Sequence, residues 1–422
     1  MEQKYNFQIH INEKVWLGCI VVFALVLRLL IGGCYYNGFD TVSYNIPWAE
    51  GVRQGLFNAY SHVESLNYPP LFPTLLFFIS GPIHHAVEIQ SGFLQMFWIK
   101  LIPILFDIGL VVLLYAIGKK YNQLCGIFLS TMWALNISTI FNCSFWGQTD
   151  SMLLFWIAAM FFAFQRKRPT LACIFFALGC LTKLQMAYLA PILLLELFLY
   201  YKPKVAFSAI GIGVGVGALG WLPFIIGSHN LLLPLNIYLG GFDEYNYINL
   251  NAFNLYGIGS NNWKPDSSPF FGSFTYQDWG TLVSVLLLIG IVFIYLYLRW
   301  QKRHIPAVLH ATMFMNAIFL FSTKMHERYQ IPVVILSLLC FVFCQNWKMF
   351  YGYLGVTAIT FINQAAFLLK ANFQGGFSTY FEFVQRVGSI FNLILFVYLL
   401  YLYVDFIFRP IEPNLPQQNK IL

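Results

Sequence analysis

"QRKRPTLACIFFALGCLTKLQMAYLAPILLLELFLYYKPK", residues 165–204, is an apolar stretch held between two basic turns. Lys and Arg are enriched in loops on the cytoplasmic side of a membrane. With "QRKRP" and "YKPK" on the same side, the chain between them must cross an even number of times. Two crossings leave about 16 residues each, or ~24 Å of helix, short of the ~30 Å hydrocarbon core. The hairpin tip "LTKLQ" (181–185) is therefore expected to lie recessed below the outer surface. A lysine at that depth is expensive unless it faces a cavity or an anion. Lys183 thus has two readings: it snorkels to water, or it is a phosphate ligand.

The same alternation runs along the whole chain. Its 422 residues are 59% hydrophobic, 19% aromatic and only 10% charged, with a mean hydropathy of +0.67. Soluble domains carry about 25% charged residues, so the class is an all-α polytopic membrane protein. About twelve crossings fit the apolar runs, at 15–34, 95–118, 124–141, 149–165, 170–183, 186–201, 205–226, 281–300, 305–321, 330–345, 349–369 and 386–408. The first run lacks a small-residue cleavage site and reads as a retained span. The turns "GKKYN", "QRKRP", "YKPK", "RWQKRH" and "NWK" fall on one side together with both tails, 1–14 and 409–422, and hold most of the 24 Lys and Arg. That side is expected to be cytoplasmic. A single transmembrane domain over 1–422 is expected, with external segments at 35–94 and 227–280.

Unusual polar residues gather on the other side. They lie in "NGFDTVSY" (37–44), "NYPPLFP" (67–73), "FWGQTD" (145–150), "LTKLQ" and "STKMHERYQI" (322–331). Chemistry on that face disfavours a reaction driven by cytoplasmic nucleotides, and nothing points to nucleic acid. In 35–94, Val42, Ile46, Trp48, Ala49, Val52, Leu56 and Phe57 recur at helical spacing, which suits an interfacial helix lying on the membrane surface. Asp40 precedes that helix as an N-cap or as a general base at the lip of a cavity. Pro69 and Pro70 hold Tyr68 extended. In "STKMHERYQI", Lys324, His326, Glu327 and Arg328 form either a topological stop or a phosphate clamp, with Glu327 holding Arg328 or Lys324.

Other signals are weaker. "GVGALG" (215–220) lies in an apolar span and not at a strand-to-helix turn, so Gly211, Gly213, Gly215 and Gly217 are expected to serve close helix packing. The eight cysteines form no CxxC pair and read as packing residues. Arg28 and Asp107, both within spans, are expected to pair.

An acidic residue in the first external segment, a "YPP" downstream, "WGQTD" opening the fourth run and "KMHERY" before a late one together resemble the GT-C class of membrane glycosyltransferases. The resemblance is greatest to the second mannosyltransferase of the GPI-anchor pathway and its bacterial relatives, and covers roughly 15–345. It implies a sugar, mannose first, carried on a polyprenyl phosphate and transferred with inversion to a glycan, glycolipid or polymer. The compact loops favour a multi-pass protein of a bacterial plasma membrane (or of the endoplasmic reticulum in a eukaryote), and the charge alternation puts its chemistry on the non-cytoplasmic face. By position, Asp40 would be the catalytic base, and Lys183, Lys324, His326 and Arg328 would engage the donor phosphate. Tyr68, Gln148, Asp150, Gln185 and Glu327 would support them. No cofactor and no metal are expected, because a basic clamp already supplies the positive charge; Asp150 is the residue that could join Asp40 around a cation. Residues 346–422 match no motif. A transporter or flippase of lipid-linked saccharides is the alternative, but such proteins place polar groups near the midplane of repeated halves, and no internal repeat is visible.

Overall fold

A computed structural model describes residues 12–259, 261–372 and 377–409. Most of both tails therefore lies outside the described residues. The chain is an all-α membrane protein. Its helices are α1 (Glu13–Cys34), α2 (Ile46–Gln54), α3 (Ala59–His62), α4 (Leu71–Glu88), α5 (Gly92–Gly118), α6 (Gln123–Ala134) and α7 (Ile137–Ile140). There follow α8 (Asp150–Gln165), α9 (Pro169–Cys180), α10 (Ala190–Tyr200), α11 (Pro203–Ser228) and α12 (Leu233–Asp243). The last five are α13 (Tyr276–Trp300), α14 (Ala307–Phe321), α15 (Ile331–Cys344), α16 (Trp347–Asn372) and α17 (Phe377–Phe408). Two π-helical segments, Gly38–Asn45 and Phe141–Trp146, interrupt the regular pattern.

Six helices, α1, α5, α11, α13, α16 and α17, are long and apolar enough to cross a membrane; α6 and the α7 segment, bent by 42°, make a broken seventh. Five shorter apolar helices are α8, α9, α10 with its 3₁₀ lead-in, α14 and α15. Among the shorter helices, α14 and α15 are the most enclosed. Every residue from Ala307 to Leu320 on α14, and from Ile331 to Val342 on α15, is buried. A helix apolar on all sides belongs in an interior. By contrast, α11, α13 and α17 expose residues such as Val214, Leu219, Phe293 and Val397, a surface suited to lipid.

Contacts between the basic turns place them at one end of the bundle. Lys119 meets Glu13 at 2.6 Å, Lys120 and Arg166 both lie over the Phe162 ring, and the Tyr200 hydroxyl donates to the Arg303 carbonyl. Inside the bundle the expected pair is present: Arg28 Nε donates to Asp107 Oδ2 at 2.6 Å with both side chains fully buried, and Trp133 Nε1 donates to Asp107 Oδ1 at 3.0 Å. Removing one partner would strand a buried charge, a loss of about 3–5 kcal/mol. Its role is to lock α1, α5 and α6 together.

Two packing expectations need correction. The apolar stripe of α2 does not rest on the membrane. Trp48, Ala49 and Val52 are buried against Phe72 and Leu76 of α4 and Met96 and Ile99 of α5. Of Gly211, Gly213, Gly215 and Gly217 on α11, only Gly213 meets a neighbouring helix, at the Cys173 backbone, where an added Cβ would sit 3.0 Å from its carbonyl oxygen; the other three face open space. At the tip of the short α9–α10 hairpin, Lys183 is buried in the protein, only 6% exposed.

Candidate functional site

At the end of α1 away from the basic turns, the chain makes its π-helical turn and brings Asp40 to a cavity. Thr41, Trp48, Tyr68, Gln148, Lys183, Gln185, Glu244 and Arg328 are among the residues around it. The π turn is fixed from beneath. Lys100, fully buried on α5, donates to the carbonyls of Tyr35 (2.8 Å) and Phe145 (2.9 Å). The Tyr35 and Phe145 rings stack with centroids 3.6 Å apart. Gly147 adopts φ +92°, a conformation that L side chains rarely take, and a Cβ there would also crowd Thr41 and Lys100. The segment 141–148 is thereby pressed against Asp40.

Asp40 is not a helix cap. Asn45 occupies the N-cap position of α2, and Asp40 Oδ2 instead accepts from Trp146 Nε1 at 3.0 Å and Gln148 Nε2 at 2.8 Å. Both donors are neutral. The carboxylate is thus oriented without being matched to a cation in direct contact.

Lys183 is held by a carboxylate. It donates to Asp150 Oδ1, both side chains are nearly fully buried, and its ammonium lies 5.7 Å from the centre of the Tyr68 ring. Asn142 Nδ2 donates to Asp150 Oδ2 at 3.0 Å and to Gln364 Oε1 at 3.0 Å. Asp150 and Asp40 are therefore engaged by different donors. Among the described residues, no cluster of three or more His, Cys, Asp or Glu side chains has the spacing of a metal site.

The 322–330 loop is tied down by backbone pairing. Met325–His326 runs parallel to Asn249–Leu250 of the stretch between α12 and α13, and the Lys324 N–H donates to the Tyr247 carbonyl. This pairing turns the loop's polar residues in different directions. Arg328 Nη1 donates to Glu327 Oε1 at 2.7 Å, and its guanidinium lies over the Trp146 ring, 5.4 Å from the centroid. Burial pushes the Glu327 carboxyl up to about 7 against the pull of Arg328. Arg328 is held well above its ordinary value by Glu327, Asp40 and Asp150, which outweigh its own burial, so it stays charged. His326 goes the other way: burial, then Arg328 and Lys183, push it well below its ordinary value, so at neutral pH it offers an N–H and no charge.

Lys324 and His326 do not share the cavity of Asp40. They line a second one, which continues past Ser284 and Leu288 of α13 and Phe314 and Ile318 of α14. Gln185, Tyr245 and Tyr329 border both cavities. The four expected phosphate ligands are thus split, Lys183 and Arg328 on one side and Lys324 and His326 on the other. Arg328 Nε, Gln185 Oε1 and His326 Nε2 are buried polar atoms with no protein partner. An unsatisfied buried polar group costs about 1–3 kcal/mol, and three beside these two cavities are a ligand's natural partners.

Several neighbours have no site role assigned from the sequence. Trp146, Trp48, Tyr245 and Glu244 border the first cavity or touch its residues. Phe367 and Gln364, from the C-terminal part that matched nothing, stack on Trp146 (centroids 5.2 Å) and hold Asn142. A buried amide in an otherwise apolar run, such as Gln364 in "FINQAAF", was the available signal. Comparison with protein-family models and with curated proteins finds no match for this chain.

Proposed function

We propose that the protein is an inverting glycosyltransferase that moves a sugar from a polyprenyl phosphate to an acceptor hydroxyl. The observation that carries this reading is one cavity holding Asp40, a carboxylate fixed by neutral donors, together with the Arg328 guanidinium. Displacement at an anomeric carbon needs those two groups. The acceptor oxygen forms its bond to the anomeric carbon while Asp40 takes the hydroxyl proton. The bond from that carbon to the phosphate oxygen breaks, its electron pair stays on the phosphate, and Arg328 meets the developing charge. The configuration inverts because a single displacement occurs. Gln185, Tyr245 and Tyr329, bordering both cavities, would flank the phosphate. The hydrocarbon chain would follow the second cavity along α13 and α14.

In this reading the GT-C resemblance supplies the donor class and makes mannose the first sugar to test. The acceptor is a glycan, glycolipid or polymer, and the site opens on the non-cytoplasmic face of a bacterial plasma membrane. The seven long or broken spans and the five shorter helices would then account for about twelve crossings. Single cysteines placed at Asn67 and Asn261 should react with an impermeant reagent in intact cells, and ones at Lys120, Arg168 and Lys302 should not. Labelling of any of the last three would break this topology.

The direct test offers purified protein a panel of polyprenyl-phosphate hexoses and follows release of polyprenyl phosphate, with and without EDTA. Release from one sugar donor, undiminished by EDTA, is the expected result. No release from any donor would overturn the transferase reading. Turnover lost in EDTA and restored by magnesium or manganese would overturn the role given to Arg328.

A further inference from the structure

Trp146 is buried between the two groups to which the transfer reaction is assigned, and it touches each through a different part of its side chain. The indole Nε1–H donates to Asp40 Oδ2 at 3.0 Å. The ring face carries the Arg328 guanidinium 5.4 Å from its centroid and stacks on Phe367 at 5.2 Å with an interplanar angle of 23°. The residue's own carbonyl accepts from Thr41 Oγ1 at 2.7 Å and from Asn37 Nδ2 at 3.1 Å, both on the stretch that carries Asp40. Its side chain is fully buried, and Lys100 holds the preceding carbonyl.

We infer that Trp146 is a positioning residue that sets the distance and orientation between the base Asp40 and the phosphate-facing Arg328. The inference rests on the transferase reading for its consequence in turnover, and on geometry alone for its hold on Asp40. The physical need is clear. A base and a counter-charge lie in one cavity, and without a rigid spacer Arg328 would be drawn towards Asp40. A direct ion pair would quench both, the carboxylate losing basicity and the guanidinium its free N–H groups. An aromatic ring satisfies each group separately: its edge N–H suits an anion, its face suits a cation. No aliphatic side chain offers both. Donation from the neutral Trp146 and Gln148 orients Asp40 without giving it a cationic partner. Sub-ångström placement matters here, since misplacement by about 1 Å can cost a hundredfold in rate.

Trp146→Phe separates the two contacts. Phenylalanine keeps a ring for Arg328 and Phe367 and removes the N–H. The expected result is a roughly ten- to hundredfold lower kcat with a donor KM changed by no more than about twofold, because the phosphate contacts remain. Trp146→Leu removes both contacts and should raise donor KM as well. A purely structural tryptophan would instead lower the amount of folded protein and leave the kcat of what folds unchanged.

A second readout needs no turnover. The infrared carboxyl band assigned to Asp40, identified by its absence in Asp40→Asn, is followed through a pH titration. Besides Gln148, the charged groups around this site are Arg328, Glu327, the Lys183–Asp150 pair and Glu244, which borders the same cavity. All are kept in Trp146→Phe, so loss of one N–H to the ionised form should move the Asp40 midpoint to higher pH. An unmoved midpoint, or an unchanged kcat in a folded Trp146→Phe protein, would overturn the inference. If wild-type protein consumes no donor while the midpoint still moves, the transferase reading fails and the hold of Trp146 on Asp40 stands.

Discussion

Asp40→Asn is expected to fold and bind donor as the wild type does, yet to transfer sugar at least about a hundredfold more slowly. The substitution is nearly isosteric. An asparagine oxygen can still accept from Trp146 Nε1 and Gln148 Nε2, the two contacts that fix this side chain. What it loses is basicity. Proton abstraction by a positioned side chain contributes about 10²–10⁴-fold, which corresponds to roughly 2.7–5.5 kcal/mol of transition-state stabilisation at 1.36 kcal/mol per decade. Donor KM should stay within about twofold of wild type, because the acid contributes nothing to holding the phosphate. If the variant keeps most of its activity, the base lies elsewhere. Glu244 is then the candidate, for it borders the same cavity and bonds Asn67 at 2.8 Å. Asp150 and Glu327 are poorer alternatives, the first committed to Lys183 and Asn142 and the second to Arg328.

The all-α membrane class could be read from composition, because a long apolar helix is a local property that survives any tertiary arrangement. The Arg28–Asp107 pair followed from the cost of a charge in hydrocarbon. Packing decided the rest. The helical stripe from Val42 to Phe57 has a spacing that lipid and protein satisfy equally well, and only the arrival of α4 and α5 directs it inward. The four basic groups looked like one clamp because sequence shows neighbours but not facing. A two-residue pairing with Asn249–Leu250, far away in the chain, sends His326 and Arg328 to different cavities. Trp146 sat in a quoted motif without a role, since its function depends on three partners distant in sequence.

Arg328→Ala should lower donor kcat/KM by roughly ten- to a hundredfold, the worth of one charge-assisted contact of about 1.5–3 kcal/mol. The fold should survive. Glu327 is 1% exposed, and a buried carboxyl that loses its partner takes up a proton in preference to remaining charged. That same carboxyl gives the wild type a signature in pH. Burial has already pushed Glu327 up to about 7, and a phosphodiester donor brings a negative charge into the adjoining cavity. Like charge favours the protonated acid, so donor binding above about pH 7 takes up a proton, and linkage then fixes the sign. Donor affinity should be level below that pH and weaken as pH rises through it, by at most about tenfold per unit. Glu327→Gln should abolish this dependence while retaining Arg328. Donor KM measured from pH 6 to 9 in the three proteins distinguishes the possibilities. A wild-type KM flat across the range, or a slope that persists in Glu327→Gln, would remove Glu327 from donor binding. Unchanged donor kinetics in a well-folded Arg328→Ala would reduce the 322–330 loop to a turn between two helices.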